Sequence, residues 1–155
     1  MTATVHTAGA LSAEILARLG TCTVAQGAET NLGAAVHWGK RTVDASQVPC
    51  CTLLEGDDMP EHQNRLTEYL VKQRFAVLAY VPCDDENPNA AAHAAIRDIK
   101  RALFKTNGAA DGRLGQKVRL ATYLGKQIAP RADGEKFVLA VVEFQCDYVE
   151  NVASP

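Results

Sequence analysis

The residues of this chain with the most intrinsic reactivity are five cysteines, Cys22, Cys50, Cys51, Cys83 and Cys146, and four histidines, His6, His37, His62 and His93. A nucleophilic thiol needs a base beside it, and a transition-metal site needs several ligands at one point. None of the histidines lies three or four residues from a cysteine or a second histidine. Adjacent Cys50 and Cys51 point to opposite faces of an extended strand, so the pair does not easily make one metal site. Cys83 after Pro82, or Cys50-Cys51, would act as a nucleophile only if the fold carried a histidine to it. Asp84-Asp85-Glu86 and Asp57-Asp58 offer hard oxygen ligands, but an acidic run ahead of a helix already serves the helix dipole. Gly108, Gly112 and Gly115 lack the strand before and the helix after that a phosphate-cradling loop requires. Trp38 beside Lys40-Arg41 is too small a signal for a nucleic-acid surface. The expectation is no catalytic set, no metal and no cofactor, hence not an enzyme.

Composition narrows the class. A chain of 155 residues with 47% hydrophobic and 22% charged residues is ordinary for a globular protein, most simply one domain over 1–155 with a core at 12–149. Its net charge of -2 exerts no overall pull toward nucleic acid. No apolar run approaches the roughly 20 residues that cross a bilayer, and the first ten residues lack the pattern of a secretion signal. The odd cysteine number has no disulfide rhythm and argues for a reducing cytosol. Charge is nonetheless uneven. Residues 106–136 carry Arg113, Lys117, Arg119, Lys126, Arg131 and Lys136 against Asp111, Asp133 and Glu135, whereas residues 137–155 carry Glu143, Asp147 and Glu150 and no base. Solvated turns explain this blandly; a basic and an acidic surface that meet on neighbouring copies explain it more sharply.

The elements that must position these groups are legible. Leu11, Ile15 and Leu19 recur at helical spacing, with Ser12 as the expected cap and Gly20 as the stop. Residues 20–47 are ambiguous, with Val24 and 34–38 as strand candidates among glycines. A strand is expected at 50–54, closed by a turn at 55–58, with 59–64 as a loop. Residues 68–81 alternate as one long strand: Tyr69, Val71, Gln73, Phe75, Val77, Ala79 and Val81 on one face, the other charged at its start and apolar at its end. Asn87-Pro88 opens a helix whose stripe of Ala92, Ala95, Ile96, Ile99, Ala102 and Leu103 is expected to run to Asn107-Gly108. Two antiparallel strands near 118–124 and 137–148 close the chain.

This order resembles the tail terminator (tail completion or minor tail) proteins of long-tailed bacteriophages and prophages. The resemblance rests on the helix at 13–20, the segment from Val48-Pro49-Cys50 to Glu55-Gly56, the strand ending at Tyr80-Val81-Pro82, the helix from Asn87-Pro88 to Ala102-Leu103, and the closing strands at 120–128 and 137–148. It implies an α+β fold: a mixed, mainly antiparallel sheet with a short N-terminal helix and one long alanine-rich helix on one face. It also implies a structural virion protein, a ring, expected as a hexamer, on the head-proximal end of the tail tube. Its partners would be further copies of itself, the tail tube protein and a neck or head-completion protein, with genome DNA passing the lumen without sequence-specific contact and no membrane. The location would be the virion tail, and the host cytoplasm during assembly. The family has no catalytic residues to carry over. Arg113, Lys117, Arg131 and Lys136 are the expected subunit-interface or lumen residues, on loops that project from a rigid sheet. Rival readings are another neck component (a head-closure or tail tube protein), a small ligand-binding regulatory domain built on half a ferredoxin-like pattern, and a cysteine enzyme.

Overall fold

The computed structural model describes residues 7–63, 65–106, 109–110, 114, 118 and 120–155. Its elements are helix α1 (Ala8–Leu19), strands β1 (Val36–Trp38), β2 (Cys50–Gln63) and β3 (Glu68–Pro82), helix α2 (Pro88–Phe104), a two-residue pair β4 (Lys105–Thr106) and β5 (Ala109–Ala110), and strands β6 (Leu120–Ile128) and β7 (Phe137–Asn151). Five of the strands form one sheet in the order β1-β2-β3-β7-β6. The β1–β2 pair is parallel and the others are antiparallel. The fold is α+β, as expected.

The long strands follow from alternation. In β3, Val71, Phe75, Val77, Ala79 and Val81 are buried, and in β7 so are Val138, Ala140, Val142, Phe144, Cys146 and Tyr148. Register Phe75↔Phe144, Val77↔Val142 and Ala79↔Ala140 places these side chains on one face, where burial of each large one contributes about 1.5–3 kcal/mol. Both helices cover that face. The helix α1 contributes Leu11, Ile15 and Leu19, and α2 contributes Ala92, Ala95, Ile96, Ile99 and Leu103 to the same core. The alanines bring the α2 axis close to the sheet. Phe104 then packs edge-on against Phe144 and Tyr123, with centroids at 6.3 and 6.5 Å.

Three boundaries differ from expectation, the first two for a physical reason on display in the structure. The helix α1 starts before Ser12, because Thr7 caps it by accepting from the Ala10 N–H at 3.2 Å. Ser12 is instead buried, and its hydroxyl donates to Glu55 of β2. Residues 55–58 are no turn, and 59–64 is no loop as far as Gln63. Strand β2 absorbs Gly56-Asp57 as a bulge, and pairing with β3 resumes at Asp58↔Gln73. Gly56 suits this point, since a Cβ there would sit 3.2 Å from the Arg74 Cβ. Lastly, α2 ends at Phe104. The expected Asn107-Gly108 stop lies outside the described residues.

Candidate functional site

Among the described residues, His37 stands on β1, Cys50 and Cys51 on β2, His93 on α2 and Cys146 on β7. Cys22, Cys50, Cys51 and Cys146 are buried. Burial, and secondarily the nearby Asp98 carboxylate, pushes the Cys22 thiol up to about 12. Burial, with Asp147, does the same to Cys146, to about 12, and burial raises Cys50 and Cys51 as well. These thiols are held in the unreactive protonated form. Cys83 is partly exposed. The His37 Nε2 and the Tyr148 hydroxyl are buried without hydrogen-bond partners, and His93 is exposed on α2. Among the described residues, no group of three or more histidine, cysteine, aspartate or glutamate side chains could hold a metal ion.

The acidic run ahead of α2 has local partners. Asp84 accepts from the Asn87 N–H at 2.5 Å, ordering the turn into the helix. Asp85 accepts from Lys136 at 3.1 Å and from Arg131 at 3.4 Å, joining the β3–α2 turn to the β6–β7 turn. Lys136, then Arg131, lowers the Asp85 carboxyl below its ordinary value. Arg131 also donates to the Glu135 carbonyl at 2.5 Å and is 14% exposed, whereas Lys136 is 79% exposed. Two of the four expected interface residues are thus neighbours at one end of the sheet. The other two, Arg113 and Lys117, lie outside the described residues.

A second anchor was not foreseen. Asp98 is 2% exposed on the buried side of α2. Its carboxylate accepts from the Glu29 N–H at 3.0 Å, the Thr30 N–H at 2.8 Å and the Thr30 hydroxyl at 2.6 Å. Above it, Glu29 takes two bonds from Arg97, at 2.7 and 3.0 Å. The ambiguous 20–35 region is therefore tied to α2. A carboxylate inside the apolar stripe was the available signal; its partners, 68 and 69 residues away, were not readable.

The feature with the most capacity to act is the sheet face turned away from the helices. Residues 39–48 cover one end of it, where the Thr52 hydroxyl donates to the Lys40 carbonyl at 2.9 Å. Farther along lies an open cleft of about 330 Å³, lined by Arg41, Leu54, Glu55, Arg74, Ala76, Leu124 and Glu143. It crosses β2, β3, β7 and β6 and mixes apolar with charged groups of both signs. Such a lining fits contact with a polypeptide surface better than chemistry on a small molecule.

No protein-family model matches the chain, and no curated protein matches it in sequence. The fold is similar to that of a chain in a solved structure of the virion of a native gene transfer agent (GTA) particle. The TM-score is 0.54 at 16% identity, over 90% of this chain and 98% of that one. At this identity the likeness is one of fold.

Proposed function

We propose that this chain is a structural virion protein, without enzymatic activity, that works by docking onto other polypeptides, and that it terminates a phage-type tail. In this reading copies close into a ring, of six by the family resemblance, on the head-proximal end of the tail tube. The ring stops tube growth and offers its other side to the neck. The observation that carries the reading is the fold likeness to a chain of a gene transfer agent virion, spanning 90% of this chain. The helix-free sheet face supports it.

Electron microscopy of the purified protein, with and without polymerising tail tubes, tests the reading. Rings in the first sample and tubes of arrested length in the second are expected. Tubes that lengthen regardless would remove the terminator role. The likeness is to one chain of a whole particle, which also suits another neck component, head-closure or tube protein. That alternative predicts binding to the neck, or co-polymerisation with the tube, without arrest of growth.

A further inference from the structure

The sheet ends in two edges of opposite character. On one side β1 covers β2 only at Cys51, Thr52 and Leu53, so among the described residues the outer side of β2 has no strand partner from residue 54 onward. Residues 54–63 carry four acids, Glu55, Asp57, Asp58 and Glu61, and no lysine or arginine. On the other side β6 is terminal, and its single charged residue is Lys126. Among the described residues eight large hydrophobic side chains are exposed, and five lie along these edges: Trp38 and Met59 at the acidic edge, Leu120, Tyr123 and Leu124 on β6. Long exposed apolar edges promote association unless covered.

We infer that the β6 edge of one copy docks on the acidic β2 edge of the next, with Leu120, Leu124 and Lys126 meeting Asp57, Asp58 and Met59. Charge selects this pairing. Two β2 edges would oppose acid to acid, and two β6 edges would bring lysine toward lysine. Arg41 lies in the same cleft as Glu55 and Asp57 but leaves that edge acidic. The lengths agree, since nine and ten residues both span about 30 Å. Pro60 and the two register irregularities of β2 interrupt any continuous ladder, so side chains carry the contact. An interface between two different patches propagates head to tail and closes as a ring when its rotation permits.

The inference rests on the ring in the proposed function and says nothing of the tube. Three variants test it by light scattering, each first checked for a wild-type circular dichroism spectrum. Leu120→Glu/Leu124→Glu breaks one edge and Asp57→Lys/Asp58→Lys the other. Each is expected to raise the assembly concentration by about tenfold or more. Mixed, they share one intact junction and form 1:1 dimers. Adding Lys126→Glu to Asp57→Lys/Asp58→Lys restores rings. A wild-type chain that stays monomeric overturns the inference, as does either edge variant assembling normally or a mixture that remains monomeric. Rings built by these edges that leave tube length unchanged would sink the terminator role alone, whereas length control with both edges broken would sink the junction alone.

Discussion

Asp98 shows how a single side chain organises a region with no regular structure. Its carboxylate, itself buried, satisfies two backbone N–H groups and one hydroxyl from the segment after α1. Replacement by alanine removes three charge-assisted bonds and leaves the Glu29 and Thr30 N–H groups without their acceptor. Asp98→Ala is expected to cost about 3 kcal/mol in urea unfolding at unchanged m-value. The buried thiols set an alkaline limit. Burial raises Cys22 and Cys146 from 9.0 to about 12, so the unfolded chain gives up these protons first. Their contribution is complete below about pH 8.5 and is lost as pH climbs toward the folded values. A thermal midpoint that stays level to about pH 8.5 and then falls is expected; a level profile to about pH 10 would contradict it.

At the scale of elements, the packing of the 20–35 segment on the end of α1 leaves no room for a methyl group. A Cβ on Gly33 would collide with the Leu19 carbonyl and lie 3.0 Å from the Cys22 N and O atoms. The Gly33 N–H also donates to the Cys22 carbonyl at 2.9 Å, so the backbone cannot simply withdraw. Gly33→Ala is expected to destabilise by about 1–3 kcal/mol, whereas Gly9→Ala, in α1 with open space around it, is expected to stabilise by up to about 1 kcal/mol. Comparing the two in one denaturation series separates crowding from helix propensity. The hairpin of β2 and β3 makes the same point about continuity. The Gln73 amide donates to the Gly56 carbonyl at 2.6 Å across the bulge, holding the two halves of β2 to one neighbour.

At the scale of the whole molecule, the helices seal one face of the sheet and leave the opposite face and both edges for contact. Arg131 and Lys136 stand at one end of this sheet, bound to Asp85. If they contact a neighbouring subunit or line the lumen, as proposed, Arg131→Glu/Lys136→Glu blocks ring formation or joining to the tube. Because this change also repels Asp85, the triple variant with Asp85→Lys keeps the local pairing and is still expected to fail in assembly. Normal rings from the triple variant would remove these residues from the proposed contact.

The chain's own pattern determined the period-two faces of β3 and β7, the alanine stripe of α2 and the antiparallel closing pair, because those signals are local and repeat. Thr7 as the cap, the bulge that carries β2 through Gly56-Asp57 to Gln63, and the joining of the 20–35 segment to Asp98 were decided only by tertiary structure. In each case a distant partner outweighs the local preference. Ser12 is a good cap by type but is used for Glu55, and a run of turn residues stays extended because β3 pairs with it. The same holds for the surfaces of contact. That β6 and the outer part of β2 carry opposite charge could be tallied from composition, but only the strand order puts them on opposite rims of one sheet.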